Sequence, residues 1–174
     1  MGKVKEINDK IERLQNISLL REMRDDLGAM TRIAALFTTI SISSGKPVIR
    51  ENDEGDELFV IKSGTVSIEK RTMQDDFYTV TELKAGDNIF FGEVALLDPD
   101  KRSATVMCKT NCEFYVLTRP DFLHFGNENP KYGLAITREL SRILCKRLRK
   151  ANTDIITLFD ALVEEMAESG GLAE

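Results

Sequence analysis

Apolar residues recur every three or four positions through the first 37 residues of the chain. One series is Val4, Ile7, Ile11 and Leu14, and a second is Met23, Leu27, Met30, Ile33 and Phe37. This spacing places the apolar side chains of each series on one face of a helix. Residues 1–37 are therefore predicted to form an N-terminal helical segment.

Between Thr38 and Thr118 the pattern changes to short runs rich in Val, Ile, Thr, Phe and Tyr. Turn residues interrupt these runs about every eight to twelve positions, a spacing typical of an all-β sandwich or barrel. The candidate strands are Ser41–Ile42, Val48–Ile49, Glu57–Lys62, Thr65–Lys70, Tyr78–Leu83, Ala104–Met107 and Glu113–Leu117. Together they predict a small antiparallel, jelly-roll-like β-roll over residues 38–125.

Beyond Pro120 the helical period returns. The apolar positions follow gaps of four, four, three, four, three and four residues, and they are Leu140, Leu144, Leu148, Ala151, Ile155, Leu158 and Leu162. A stripe this close to a heptad repeat is typical of a helix that pairs with another helix. Residues 126–168 are predicted to be lid and dimerisation helices, and residues 169–174 a frayed tail. The predicted fold class is mainly β with flanking helices, the last of them long.

Composition and charge narrow the function classes. The 174 residues are 42% hydrophobic and 30% charged, and their net charge of −5 argues against a surface that covers nucleic acid. No apolar run approaches the roughly 20 residues of a membrane span, and the charged N-terminus lacks the form of a secretory signal. We therefore expect a cytoplasmic protein that binds neither membrane nor nucleic acid. Its three cysteines, Cys108, Cys112 and Cys145, are expected to be reduced and partly buried.

The segment from Phe91 to Thr105 combines three features that a phosphate site needs. Gly92 lets the backbone pass close to a ligand, and residues 93–97 can form one helical turn whose free N–H groups point at an anion. Arg102 supplies a planar fork of donors that matches two phosphate oxygens. Any one of these residues alone is usually a turn or a surface charge. Their spacing inside a β-roll pattern predicts an anion-binding site.

Residues 92–105 read Gly-Glu-Val-Ala-Leu, then five residues, then Arg-Ser-Ala-Thr. This resembles the phosphate-binding cassette of the cyclic-nucleotide-binding domains, the family found in cAMP receptor proteins, regulatory subunits of cAMP-dependent protein kinase and nucleotide-gated channels. Residues 55–64 match a second hallmark of the family, a Gly-Asp followed by an apolar strand and another Gly. The similarity covers about Leu20 to Phe125. One departure affects the strand that enters the cassette: four residues, not the usual two, separate Gly86-Asp87 from Gly92.

The resemblance implies a role for each cassette residue. Arg102 would pair with the cyclic phosphate, and Glu93 would accept a hydrogen bond from the ribose 2′-hydroxyl. The backbone of Gly92 and Ala95 would contact the ligand, and Ser103 would lie beside the phosphate and the purine. A threonine at this last position is associated with cGMP in the family, so serine predicts a modest preference for cAMP. No cofactor is predicted beyond this ligand, for which cGMP is the alternative.

Two polar residues of the long helix complete the predicted site. In relatives of the cAMP receptor type the equivalent helix closes the pocket across a dimer, so Asn152 and Thr153 would reach the adenine. The alternative is that they form a polar break in a coiled coil. The predicted ligand-binding residues are thus Gly92, Glu93, Val94, Ala95, Arg102, Ser103, Ala104, Asn152 and Thr153.

Other chemistry finds little support in the sequence. The single histidine, His124, is expected to pack rather than to bind a metal, because a metal site on a β-roll needs several converging ligands. No nucleophile and base stand in a recognisable motif, so no enzyme activity is predicted. The basic run is interpreted as the solvated face of the last helix and consists of Arg142, Lys146, Arg147, Arg149 and Lys150.

The sequence therefore predicts a cyclic-nucleotide sensor or regulatory module, primarily for cAMP, without a DNA-binding output domain. It would act through a protein effector or through its own homodimerisation. Two alternatives stay open. One is a ligand-free scaffold or dimerisation module of the same fold, and the other is the sensor half of a truncated transcription regulator.

Overall fold

The computed structural model describes residues 2–71, 76–87, 89–98 and 100–170, without the side chains of residues 2–5, 77 and 168–170. The chain divides into two compact units, Met1–Thr137 and Arg138–Glu174. The first contains the N-terminal helices, all the strands and the start of the last helix. The second contains the remainder of that helix.

The N-terminal segment is helical, as the periodicity predicts. It consists of α1 (Gly2–Gln15), a 3-10 helix (Ser18–Met23) and α2 (Leu27–Leu36). Asp26 caps α2, because its carboxylate accepts a hydrogen bond of 2.8 Å from the Ala29 N–H. Their buried apolar side chains include Leu14, Ile17, Leu20, Met23, Met30 and Ile33.

Eight strands follow in the described part of the chain. They are β1 (Thr38–Ile42), β2 (Pro47–Ile49), β3 (Glu57–Ser63), β4 (Thr65–Arg71), β5 (Phe77–Lys84), β6 (Phe90–Phe91), β7 (Thr105–Cys108) and β8 (Cys112–Thr118). They form two four-stranded antiparallel sheets, in the orders β1-β8-β3-β6 and β2-β7-β4-β5. This confirms the predicted antiparallel β-roll.

The inner faces of the two sheets meet in one hydrophobic core. Three aromatic rings lie at its centre: Phe59 stacks on Phe91 with centroids 5.4 Å apart, and Phe114 meets both rings edge-on. The other buried members are Ile49, Ile61, Val66, Val106, Cys108, Cys112 and Val116. Burial, together with the neighbouring Cys112, raises the pKa of the Cys108 thiol to about 12. This thiol therefore stays protonated at neutral pH, as expected of a packing residue.

The side chain of Arg13 connects helix α1 to strand β3. The Arg13 guanidinium donates two hydrogen bonds, of 3.1 and 2.8 Å, to the carbonyl oxygen of Ile61. The pairing of β3 with β8 shifts register between Ile61 and Ser63. Arg13 therefore provides a partner for a backbone carbonyl at an irregular point of the sheet.

A short helix, α3 (Val94–Leu97), lies between β6 and β7, and two helices follow the roll: α4 (Arg119–Glu128) and α5 (Pro130–Gly170). Within the first unit they approach closely at two glycines, since a Cβ on Gly133 would lie 2.7 Å from the Cα of Gly126. Near the start of α5 the Tyr132 hydroxyl donates a 2.7 Å hydrogen bond to Asp26. No helix among the described residues has the length and apolar character needed to cross a membrane.

The second unit consists of the distal part of α5. Its exposed large apolar residues are Leu148, Ile155, Ile156, Leu158, Phe159, Leu162, Val163 and Met166. The helix continues to Gly170, two residues into the predicted tail, and residues 171–174 lie outside the described residues.

Two sequence expectations need correction. His124 does not pack: its side chain is 65% exposed on α4 and its Nε2 lies 3.5 Å from a Glu128 carboxylate oxygen. A lone histidine is often buried, but here the position falls on the solvent side of the helix. Cys145 is exposed, whereas Cys108 and Cys112 are buried, and all three are free.

Candidate functional site

The turn between β6 and β7 forms the cassette that the sequence singles out. Gly92 follows β6 directly and has a φ of +74°, a conformation that favours glycine. A Cβ at this position would lie 2.8 Å from the Glu57 carbonyl oxygen and 3.0 Å from Arg102 Nη1. A larger residue would therefore displace the backbone of β3 and the guanidinium together.

Arg102 lies at the centre of the site and is buried, with only 8% of its surface exposed. Its Nη2 donates a 2.7 Å hydrogen bond to Glu57 Oε2, and its Nη1 donates a 3.2 Å bond to the Gly92 carbonyl oxygen. The guanidinium carbon lies 5.9 Å from the centroid of the Phe59 ring. A buried cation needs such partners, because leaving it unpaired would be costly.

The backbone of Arg102 is fixed as well. Asn52 N–H donates to the Arg102 carbonyl, and Arg102 N–H donates to the Asp53 carbonyl, both at 2.9 Å. Asn52 has a φ of 70°, a left-handed conformation that asparagine tolerates better than most residues. The loop between β2 and β3 thus holds the cassette arginine through two reciprocal bonds.

Gly55 gives the guanidinium its space. A Cβ there would lie 2.6 Å from Arg102 Nε. Gly55 also lines an open cavity of about 450 Å³, together with Glu54, Asp56, Asp100 and Lys101. Its rim is acidic, with three carboxylates and one ammonium group.

The other cassette residues differ in burial. Glu93 is the N-cap of α3 (Val94–Leu97) and is only 1% exposed. Ala95 is also buried, whereas Val94 and Ser103 are exposed and Ala104 is half-buried. The structure thus brings Gly92 and Arg102 into direct contact, with Glu93 next to Gly92 in the chain.

The helical turn forms as predicted, but its amides are not all free. The Ala95 N–H donates to the Gly92 carbonyl at 3.3 Å, and the Leu96 N–H donates to the Glu93 carbonyl at 3.2 Å. These two groups close the turn on itself. Binding of an anion at this turn would therefore depend more on Arg102, and less on these two amides, than the sequence interpretation expects.

Asn152 and Thr153 lie on α5 in the second unit and are exposed. The Thr153 hydroxyl donates a 3.1 Å bond to the Arg149 carbonyl of the same helix. Their contact with a nucleotide stays a prediction.

Sequence reasoning missed three residues that hold Arg102. Glu57 lies 45 positions before the arginine, and Asn52 and Asp53 contact it through the backbone alone. The only signal for Glu57 is its place directly after Gly55-Asp56, at the start of a predicted strand. No cluster of three or more possible metal ligands occurs among the described residues.

Comparisons with known proteins bear on the family and the fold of the chain. The family model for the cyclic nucleotide-binding domain matches residues 39–129. The chain is 30% identical over 111 residues to the cyclic AMP receptor protein of Thermus thermophilus, covering 64% of this chain and 49% of that protein. It is 32% identical over 130 residues to glutaminase 1 of Bradyrhizobium diazoefficiens, covering 74% of this chain and 20% of that enzyme.

A solved structure has the same fold. The N-terminal domain of a transcriptional regulator from Streptomyces coelicolor superposes with a TM-score of 0.67 at 25% identity, covering 82% of this chain and 94% of that one. The chain spans about half the length of the first relative and a fifth of the second.

Proposed function

Because this chain belongs to the family of cyclic nucleotide-binding domains, we propose that it is a cAMP sensor that holds the cyclic phosphate through Arg102. The observation that carries the proposal is a buried guanidinium already oriented by Glu57 and the Gly92 carbonyl. Those bonds engage two of the five N–H donors of arginine, which leaves others for a phosphate. A side chain fixed before binding loses little conformational entropy when the ligand arrives.

Glu93 and Ser103 supply the remaining contacts in this proposal. The buried Glu93 carboxylate, adjacent to Gly92, accepts a hydrogen bond from the ribose 2′-hydroxyl. Ser103 follows Arg102 and is exposed, so its hydroxyl is accessible to the phosphate or the base. We expect it to favour cAMP over cGMP by about 1–2 kcal/mol, the difference of one hydrogen bond.

The output is proposed to be regulatory. The module dimerises through the exposed apolar residues of distal α5 or contacts a protein effector there. It acts in the cytoplasm and has no membrane or nucleic-acid partner of its own. It carries out no catalysis. The glutaminase relative shares only a fifth of its length with this chain, so the similarity does not support glutaminase activity here.

Calorimetric titration of the chain with cAMP and with cGMP tests the proposal. We expect saturable binding of one nucleotide per chain, tighter for cAMP by about tenfold. Absence of binding by either nucleotide would favour the scaffold alternative, in which the fold serves dimerisation alone. Tighter binding of cGMP would contradict the role given to Ser103.

A further inference from the structure

The charged side chains around Arg102 have a negative net charge before any ligand binds. Arg102 carries one positive charge, and Glu57 is hydrogen-bonded to it at 2.7 Å. Glu93 is buried next to Gly92, whose carbonyl oxygen accepts a hydrogen bond from Arg102. In their ionised forms these three side chains sum to one negative charge. The Arg102 guanidinium thus attracts a phosphate, while the Glu57 carboxylate bonded to the same guanidinium repels it.

The surroundings add to this negative balance. The cavity beside Gly55 is lined by the carboxylates of Glu54, Asp56 and Asp100, and by the ammonium group of Lys101. Gly55 lies next to the Arg102 guanidinium, since a Cβ added to it would lie 2.6 Å from Arg102 Nε. A ligand whose phosphate reaches Arg102 from this side therefore lies close to more carboxylates than cations.

From this arrangement we infer that Glu57 is a specificity-determining residue. It restricts the Arg102 site to a phosphate that carries a single negative charge, so that nucleoside phosphomonoesters and triphosphates bind weakly. The inference rests on the proposed function and deepens it. A cyclic phosphodiester carries one negative charge, whereas a 5′-monophosphate carries nearly two at neutral pH. Each additional charge is repelled by Glu57 in a partly buried site, where the repulsion is screened less than in water.

Glu57 is suited to this role because it is partly accessible. Its side chain is 38% exposed, while the Arg102 side chain that it contacts is 7% exposed. It lies at the start of β3 and its backbone carbonyl faces Gly92, so its position is fixed by the same strand that shapes the cassette. Removing its charge would leave the Gly92 bond to Arg102 in place.

The test compares cAMP with 5′-AMP by calorimetry at about pH 7.5 in the native chain and in Glu57→Gln. The native chain should prefer cAMP, and Glu57→Gln should reduce the ratio of the two affinities about tenfold, mainly by strengthening 5′-AMP binding. Glu57→Asp keeps the charge and should keep the ratio. Glu113→Gln is the matched control, since Glu113 pairs with Lys62 at 3.2 Å and is 42% exposed.

The outcomes separate this inference from the proposed function. Failure of the native chain to bind cAMP overturns both. Binding of cAMP with a ratio that is unchanged in Glu57→Gln overturns the inference alone. A second measurement needs no variant: the methyl ester of 5′-AMP is bulkier but has one charge fewer, and the native chain should bind it more tightly than 5′-AMP. Equal or weaker binding of the ester also overturns the inference.

Discussion

At the cassette a charged side chain is buried, whereas along distal α5 large apolar side chains are exposed. Arg102 keeps 8% of its surface exposed, and Leu158 keeps 70%. Both values depart from the usual distribution of charged and apolar residues. The cassette arginine has its partners within the same chain, in Glu57 and the Gly92 carbonyl. This difference is why the proposal gives the cassette a ligand site prepared within one chain and gives distal α5 a surface that pairs with a second chain.

The largest effect is expected from removing the buried charge. Arg102→Ala should weaken cAMP binding by about 2–5 kcal/mol, or roughly 30-fold to several thousand-fold, because the phosphate loses its charged partner. Arg102→Lys should restore little, since an ammonium group lacks the planar fork. Calorimetry measures the affinity, and thermal unfolding checks that the variant is folded.

Arg142→Ala serves as the control for this prediction. Arg142 pairs with Glu139 at 3.1 Å, but it is exposed, so its removal should leave the affinity unchanged. The cassette assignment would be wrong if Arg102→Ala bound cAMP within about threefold of the native chain.

A charge introduced on the apolar face of distal α5 should change the oligomeric state. We expect Leu148→Glu and Ile155→Glu each to give monomers, because a seam of paired helices cannot accommodate an unpaired charge without a cost of several kcal/mol. Light scattering measures the mass. Thr157→Glu is the control, since it adds the same charge about 200° around the helix from Ile155. A monomeric native chain at micromolar concentration would refute the dimer.

A smaller effect is expected at the ribose contact. Glu93→Gln should weaken cAMP binding about tenfold, because an amide oxygen still accepts a hydrogen bond but loses its charge-assisted part. The native chain should bind 2′-deoxy-cAMP with a similar loss, and Glu113→Gln should show none. Equal affinities for cAMP and its 2′-deoxy analogue would remove Glu93 from the site.

The smallest effect is expected at the hydrogen bond between Tyr132 and Asp26, which lies outside both regions compared above. Two hydrogen bonds, first from the Ala29 N–H and then from the Tyr132 hydroxyl, lower the pKa of Asp26 below its usual 3.8. A depressed carboxyl pKa stabilises the fold above the unfolded-state value and loses that contribution as pH falls through the folded one. Tyr132→Phe should lower the Tm by about 2 °C at neutral pH.

The pH dependence provides the check on this assignment. The difference in Tm between Tyr132→Phe and the native chain should narrow as the pH falls from 3.8 through the lower pKa of Asp26 in the folded native chain, because Asp26 is then protonated in both proteins. A difference that grows at low pH would contradict it. Nucleotide affinity should not change, since neither residue lies at the cassette.

The strands and the cassette could be predicted because their signals are local. Alternating apolar residues and turn signals indicate seven of the strands, and the spacing of Gly92, Glu93 and Arg102 marks the site. Strand β6 could not be found in this way, because its two residues are too few to show an alternation. It is recognised only by its pairing with Phe59 and Val60.

The partners of Arg102 depend on tertiary structure. Glu57 meets the arginine only because β3 pairs with β6, the strand that leads into the cassette, and Asn52 contacts it through a backbone N–H that every residue except proline possesses. The amides of Ala95 and Leu96 were expected to be free because a helix start leaves its first N–H groups unpaired. In so short a turn they bond to Gly92 and Glu93.

A crystal structure of the chain with cAMP would show whether the guanidinium of Arg102 holds the cyclic phosphate. We expect an Arg102 nitrogen about 2.7–2.9 Å from a phosphate oxygen, with the Glu93 carboxylate at the ribose 2′-hydroxyl. A nucleotide bound away from residues 92–105, with Arg102 bonded only to Glu57 and Gly92 as before, would refute the proposed role of Arg102.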